Sequence, residues 1–228
     1  MKNRRFYAVC SFLADLLIFV MALYAVGTSI QAHAAREFNG TGYYTFRYFT
    51  TDSNILCGIM ALIAAAFTLP VILNKSDRVP RAVLVLKYVG TVAAALTFFV
   101  VIVFLGPIYG YSMMYRGASF YLHGIVPFLA MVSWIAFDRG CYLKLRAIFL
   151  TLVPVALYGI VYFYKVVVLG PARGGWKDFY ALARGGKWWL SIILMGAGTL
   201  LIAFLLMFLH NRCDRELTDP KHNESAGL

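Results

Sequence analysis

The chain has 228 residues, of which 61% are hydrophobic, 16% aromatic and only 14% charged, with a formal net charge of +11. A soluble domain is typically about half apolar, so this composition excludes an ordinary soluble globular protein. The positive charge does not indicate nucleic-acid binding, because the Lys and Arg residues flank long apolar runs, where positive charge sets membrane topology. The composition therefore predicts an integral membrane protein.

Six apolar segments are long enough to cross a bilayer, for which roughly 20 residues are needed. We place them at about 6 to 30, 45 to 73, 82 to 105, 119 to 137, 147 to 169 and 188 to 209. The connections are too short for a separate soluble domain, and no internal repeat is evident. We therefore expect an all-α bundle of six transmembrane helices, residues 1–209, followed by a polar cytoplasmic tail, residues 210–228.

Positive residues concentrate on one side of the predicted membrane. They precede the first segment, lie between the second and third and between the fourth and fifth, and follow the sixth: Lys2, Arg4, Arg5, Lys75, Arg78, Arg81, Arg139, Lys144, Arg146, Arg212, Arg215 and Lys221. Cytoplasmic loops carry such an excess, so both termini are expected in the cytoplasm. The connection after the fifth segment, which is also basic, runs against this pattern. The expected location is the plasma membrane, which for a bacterial protein is the inner membrane.

The ionisable residues inside the predicted spans include Asp15 and Lys87. Asp15 lies about 15 Å from the cytoplasmic start of the first helix, at 1.5 Å per residue. A charged group at a helix centre costs on the order of 2.5 to 3.5 kcal/mol, so Asp15 is a candidate functional residue. A structural pair with a tyrosine, or a neutral protonated carboxyl, would explain it as well. Lys87 begins the third span, and its ammonium is expected to reach the cytoplasmic headgroups.

The second span opens with a dense polar cluster, Phe46-Arg47-Tyr48-Phe49-Thr50-Thr51-Asp52-Ser53-Asn54. If the helix begins near Tyr44, then Arg47, Thr50 and Asn54 lie on one face at i, i+3 and i+7. Polar groups taken into lipid must find partners, so this face is expected to contact other helices or a wet cavity. The cluster predicts a site in the outer half of the membrane.

The fourth span opens with a second polar group, His123, at a depth similar to that of Thr50 and on the same side. Pro127 has no N–H, so the carbonyl of His123 is expected to lose its i+4 donor and the helix to kink. A membrane histidine commonly just bonds a neighbouring helix. The matching depth of Thr50 favours a shared site instead.

These two openings resemble a known family. Phe49-Thr50 with Ser53-Asn54, and Leu122-His123 followed by Val126-Pro127-Phe128, are similar to motifs of the androgen-induced family of six-span membrane hydrolases and its bacterial relatives. The resemblance extends to the spacing of the six spans. It implies that a threonine at Thr50 acts as nucleophile and a histidine at His123 assists it, hydrolysing esters of fatty acids with hydroxy fatty acids. The segment 176–180 departs from the animal members, which leaves the substrate open.

The chemistry also follows from the residue types. An alcohol is a weak nucleophile that needs a base, and His123 would take the proton of Thr50, whose oxygen attacks an ester carbonyl. Asn54, Ser53 or backbone N–H groups are candidates to stabilise the oxyanion, and Arg47 to hold a substrate carboxylate. The neighbouring Thr51 is an alternative nucleophile. The reaction uses no cofactor, and the expected partners are membrane lipids and a lipid ester substrate.

Two other classes of function stay open. A transporter or channel would line a polar route with ionisable groups on both halves of the bundle: Asp15, Arg47, Asp52 and His123. An assembly protein would use Thr50 and His123 only to join helices two and four. A metal or disulfide framework is not indicated, because the four cysteines are scattered and lack a C-x-x-C spacing.

Overall fold

The computed structural model describes residues 2–35 and 42–218, and the regular structure of these residues is helical, without strands. The long helices are α1 (Lys2–Ala34), α2 (Phe49–Ile72), α3 (Arg81–Tyr109), α4 (Ala118–Ala136), α5 (Ala147–Leu169) and α6 (Trp188–Thr218). Each contains a stretch long and apolar enough to cross a membrane. The expected all-α bundle of six membrane helices is confirmed.

Helix α3 lies at the centre of the bundle, with α2, α4 and α6 packed around it. The side chains of Tyr88, Val92 and Ala95 on α3 are inaccessible. Small residues bring the helices close together: a Cβ on Gly90 would lie 3.1 Å from the Cα of Cys57 on α2. Lipid competes with any apolar contact, so close packing of this kind is what holds membrane helices together. Helix α5 is peripheral, and most of its surface is exposed.

A short 3₁₀ helix, Tyr43–Arg47, precedes α2. The chain then extends at Tyr48 (φ −102°, ψ 124°), and α2 begins only at Phe49. The prediction that the second helix begins near Tyr44 is therefore wrong, and Arg47 does not share a helix face with Thr50. The 3₁₀ helix starts after Gly42, whose φ of +67° is a conformation that suits glycine.

Three of the helices contain a turn of π-helix: Val101–Leu105, Tyr121–Ile125 and Tyr164–Leu169. In α4 the N–H of Val126 donates to the carbonyl of Tyr121. In that register the carbonyl of Leu122 would need the N–H of Pro127, which proline lacks. The irregularity expected near Pro127 is present, but Leu122 rather than His123 is the residue whose carbonyl lacks its backbone donor.

A charged cluster lies buried at the end of the bundle that holds the start of α1 and the end of α6. The ammonium of Lys87 lies 2.6 Å from Asp15 and 2.7 Å from Asp138. The hydroxyl of Ser11 donates to Asp138 at 2.8 Å, and that of Ser133 donates to Asp15 at 3.3 Å. Asp15 thus has structural partners, but they are Lys87 and Ser133 and not the tyrosine that was considered. The prediction that Lys87 extends to the headgroups is wrong, because its cation is bound inside the protein.

Helix α6 continues through Thr218, although a polar tail was expected from residue 210. The imidazole of His210 stacks on Trp134 with ring centroids 4.2 Å apart, and its nitrogens lie 3.0 Å from the carbonyl oxygens of Trp134 and Cys141. Asn211 exchanges two hydrogen bonds with the backbone of Leu143. These partners let the polar residues stay buried, so the helix does not end where the apolar run ends.

Candidate functional site

The first turns of α2 place Thr50, Ser53 and Asn54 inside the bundle, and all three side chains are buried. Ser53 bonds Thr97 of α3 at 3.0 Å, and Asn54 bonds the backbone of Leu122 in α4 at 2.9 Å. At 100° per residue, Thr50 lies between these two directions. Thr50 therefore lies on the face of α2 that is turned toward α3 and α4, and its hydroxyl interacts with that of Tyr180.

The amide of Asn54 joins the two predicted catalytic positions. Its Nδ2 donates to the carbonyl of Thr50 at 2.7 Å and to that of Leu122 at 2.9 Å. The second bond replaces the backbone bond that Pro127 removes. Both N–H bonds are thereby used, so Asn54 is a positioning residue in this structure and not a free oxyanion donor. Its Oδ1 is buried and accepts no hydrogen bond.

The same pairing of a proline and a side-chain donor occurs in α3. The N–H of Gly106 donates to Val101, which leaves the carbonyl of Ile102 opposite Pro107. The hydroxyl of Tyr111 donates to this carbonyl at 2.8 Å. Each proline thus frees one carbonyl, and a side chain from elsewhere in the chain satisfies it.

His123 lies in the π-helical turn of α4 and is buried. Its Nδ1 lies 2.7 Å from the carbonyl oxygen of Met114. A carbonyl only accepts, so Nδ1 carries the proton and Nε2 is left with its lone pair. The tautomer of a base is set here by a backbone carbonyl, where a triad would use a carboxylate.

The structure brings Thr50 and His123 to the same region but does not bond them to each other: of the hydrogen bonds among the described residues, none joins these two side chains. The link between them runs through Asn54 and the backbone of Leu122. In unliganded enzymes the bond between nucleophile and base is often long and tightens when substrate is bound.

The hydroxyls of the neighbouring residues Thr51 and Ser53 are hydrogen-bonded to other groups. Thr51 bonds Thr45 at 3.1 Å, and Thr45 bonds Ser29 of α1 at 2.7 Å. Ser53 donates to the carbonyl of Thr50 at 3.2 Å in addition to its contact with Thr97. Ser53 therefore braces the turn, and the oxyanion role expected for it finds no free donor.

Arg47 is the last residue of the 3₁₀ helix that precedes α2. Its guanidinium stacks on Tyr44, 3.4 Å from the ring centroid, and lies 5.6 Å from the ring of Trp176. Its carbonyl accepts a hydrogen bond from the hydroxyl of Tyr158 at 2.6 Å. The side chain makes no ion pair with a described carboxylate. This cation is held by aromatic faces, and one of these rings, Trp176, also lines a neighbouring cleft.

That cleft lies between α2 and α5 and has a volume of about 330 Å³. Its lining is mostly apolar and aromatic, with two polar residues: Phe46, Phe49, Asp52, Ser53, Leu56, Pro154, Leu157, Tyr158, Val161 and Trp176. Thr50 is not among the lining residues, although Phe49 and Ser53 on either side of it are. Both walls are helices long and apolar enough to cross a membrane.

The connection between α5 and α6 folds over the start of α2, and sequence reasoning missed its role. Asp178 accepts hydrogen bonds from Tyr162 at 2.9 Å, from the N–H of Leu182 at 2.8 Å and from the N–H of Ala183 at 2.8 Å. These bonds position the connection so that Tyr180 lies near Thr50, and the hydroxyl of Tyr180 is buried there. The only sequence signal was the density of aromatic residues at 176–180, which membrane interfaces share.

The fold and its six apolar helices define a multi-pass α-helical membrane protein. Within the described residues, no three His, Cys, Asp or Glu side chains are grouped as metal ligands. No protein-family model, curated protein or solved structure matches this chain.

Proposed function

We propose that this protein is a multi-pass membrane hydrolase that cleaves lipid esters, with Thr50 as nucleophile and His123 as base. The observation that carries the proposal is the state of His123. Its Nδ1 proton is held by the carbonyl of Met114, which leaves Nε2 basic, and Asn54 ties its helix to Thr50. An imidazole with a free basic nitrogen is the group that activates a hydroxyl nucleophile, once the two are brought within hydrogen-bonding distance.

The reaction would proceed in two stages. Nε2 of His123 takes the proton of Thr50 as its oxygen attacks the ester carbonyl; the imidazolium then protonates the leaving alcohol, which leaves an acyl group on Thr50. Water, deprotonated by the same nitrogen, releases the fatty acid. The structure favours Thr50 over Thr51 for this role, since the hydroxyl of Thr51 is bonded to Thr45 and directed toward α1.

The substrate class follows from the cleft beside the site. Apolar and aromatic residues of α2 and α5 form a groove that an acyl chain from the bilayer would fit, with Ser53 one turn from Thr50 at its polar end. Arg47, beside the lining residue Trp176, is a cation that would attract a carboxylate or phosphate of the same lipid. Fatty acid esters of hydroxy fatty acids, which the resemblance implies, carry both features.

The distribution of positive charge indicates how the protein would be oriented in the membrane. The basic loops Leu73–Pro80 and 137–146 lie at one end of the bundle and the Thr50 site at the other. By the distribution of positive charge, the site would face the outer side of the plasma membrane, the inner membrane in a bacterium, with both termini in the cytoplasm.

A transporter is the second candidate, because the Asp15–Lys87–Asp138 cluster adds ionisable groups on the half of the bundle opposite Thr50. A packed apolar layer separates the two polar regions: Ile18, Ala22, Cys57, Ala61, Ala94, Val126 and Ala130. A continuous polar route would have to open through this layer. The hydrolase is therefore the better supported function.

The test is hydrolysis of a fatty acid ester of a hydroxy fatty acid by the protein purified in detergent. Thr50→Val and His123→Ala are each expected to lower turnover at least about a hundredfold. Thr68→Val is the matched control, since Thr68 is a buried threonine of the same helix whose hydroxyl bonds only the carbonyl of Ala64. A parent inactive on a panel of lipid esters, or active Thr50 and His123 variants, would overturn the proposal.

A further inference from the structure

One buried polar group beside Thr50 has no role in the mechanism so far, the hydroxyl of Tyr180. Its oxygen faces the backbone N–H groups of Phe49 and Thr50 and the hydroxyls of Thr50 and Tyr158, at distances where all four interact with it electrostatically. None of them completes a hydrogen bond with it. A buried hydroxyl without a hydrogen-bond partner is destabilising. The presence of such a hydroxyl beside the proposed nucleophile therefore indicates that it has a function.

The N–H groups that face Tyr180 are those at the start of α2. The N–H groups of a helix's first turn have no acceptor inside the helix. Here Thr51 and Asp52 donate to the carbonyl of Tyr48. Those of Phe49 and Thr50 lie near the Tyr180 oxygen and interact with it electrostatically. Together with the positive end of the helix dipole they favour a polarised O–H bond.

The connection holds this hydroxyl in place. The N–H of Tyr180 donates to the hydroxyl of Tyr162 at 3.0 Å, and Tyr162 in turn donates to Asp178. The ring of Tyr180 packs against the rings of Tyr162 and Phe179, with centroids 5.3 and 4.8 Å away. The phenol is therefore preorganised, which is what makes a hydrogen-bond donor effective in a transition state.

We infer that the Tyr180 hydroxyl donates the hydrogen bond that stabilises the oxyanion formed when Thr50 attacks an ester carbonyl. This inference rests on the proposed hydrolase function. From the sequence, the oxyanion-stabilising role was expected of Asn54 or Ser53. The donor groups of both residues are hydrogen-bonded within the protein. Burial raises the pKa of Tyr180 to about 12, so the phenol keeps its proton at neutral pH and can donate it.

The step balances without loss of the Tyr180 proton. The Thr50 oxygen forms a bond to the carbonyl carbon, the electron pair of the C=O bond moves to oxygen, and the Thr50 proton goes to Nε2 of His123. Tyr180 shares its hydrogen with that oxyanion. When the oxyanion collapses, the bond to the leaving alcohol breaks and His123 returns the proton to it, while Tyr180 is unchanged.

The test compares Tyr180→Phe with the parent and with Tyr162→Phe in the ester hydrolysis assay. Removing one oxyanion donor lowers kcat about 10²- to 10³-fold, and KM should change little. Tyr162→Phe is the control for loop order, because it removes the bonds to Tyr180 and Asp178 but no group at Thr50. Tyr162→Phe keeps the Tyr180 hydroxyl but loosens its support, so its kcat should fall less than that of Tyr180→Phe. A kcat of Tyr180→Phe within about threefold of the parent, or a loss no larger than that of Tyr162→Phe accompanied by the same loss of thermal stability, would overturn the inference.

A second measurement separates transition-state binding from folding. A long-chain alkylboronic acid forms an anionic tetrahedral adduct with a hydroxyl nucleophile, and Tyr180→Phe should weaken its inhibition by the same factor as kcat. Inhibition by the product fatty acid, which has no such geometry, should change less than about threefold. Unchanged boronate inhibition would overturn the inference.

Should Tyr180→Phe fail to fold, 3-fluorotyrosine at position 180 keeps the shape and makes the phenol more acidic. Its kcat should then differ from that of the parent, and an identical kcat would count against the donor role. A parent without esterase activity defeats the proposed function itself. A parent that needs Thr50 but tolerates Tyr180→Phe defeats only this inference.

Discussion

The side chain of Asn54 donates to the carbonyl of Leu122 on the neighbouring helix at 2.9 Å, in the place of a backbone bond that α4 cannot make. Pro127 removes the donor, and an amide from α2 supplies another. One interaction thus satisfies a buried carbonyl and joins the helix of Thr50 to the helix of His123. If the proposed function holds, the same bond serves both stability and catalysis.

Replacing Asn54 by Leu should destabilise the protein by about 1 to 3 kcal/mol, because the Leu122 carbonyl is left buried without a donor. Turnover should fall as well, since the link between the two helices is lost. The free energy of unfolding in detergent and the esterase rate measure the two effects.

The matched control for Asn54→Leu is a double variant. Adding Pro127→Ala restores a backbone N–H near Leu122, so the pair should be less destabilised than the sum of its members. Strict additivity would contradict the role given to this bond.

Substituting Val for Thr50 and for Thr51 should have different effects on turnover and on stability. Thr51→Val breaks a buried hydroxyl chain to Thr45 and Ser29, which should cost about 1 kcal/mol while kcat is kept. Thr50→Val should abolish turnover with little change in stability. Thermal unfolding and esterase assays on both variants check this, and the reverse pattern would make Thr51 the nucleophile.

Lys87→Met should destabilise the protein by about 3 to 5 kcal/mol, since it leaves the carboxylates of Asp15 and Asp138 buried without their cation. Adding Asp15→Asn should recover part of the loss because one of those charges disappears. Lys75→Met, at an exposed loop position, is the control and should be neutral. Thermal unfolding in detergent measures all three, and a neutral Lys87→Met would show that the cluster contributes nothing.

The stability of the parent relative to Tyr180→Phe should depend on pH in the alkaline range. Burial raises the pKa of Tyr180 from its ordinary value near 10 to about 12, so the folded state favours the neutral phenol. The unfolded chain loses this proton first, so the contribution is present below about pH 10 and is lost as pH rises toward 12. Because the unpartnered hydroxyl already makes the parent less stable than Tyr180→Phe, the Tm of the parent should fall further below that of the variant across that interval. A constant difference would mean that Tyr180 titrates as an exposed phenol.

Two local features of the chain were predictable because they depend on nearby residues. The six spans follow from the length of apolar runs, and the disturbance of α4 follows from Pro127. The start of α2 was misplaced by five residues, since Tyr48 breaks the helix through its backbone conformation and not through a breaker residue. The end of α6 was misplaced because His210 and Asn211, polar by type, find buried partners.

The sequence by itself determined the class of the protein, its six membrane helices and the polar openings of α2 and α4, since hydropathy and helical periodicity are properties of contiguous residues. Only the tertiary structure decided which polar groups meet. Lys87 lies between carboxylates 72 residues before it and 51 residues after it in the chain, and Tyr180 reaches Thr50 from a connection whose aromatic composition is common to any membrane interface. Such pairings depend on how the helices pack, because each buried polar group takes whichever partner the neighbouring helix presents.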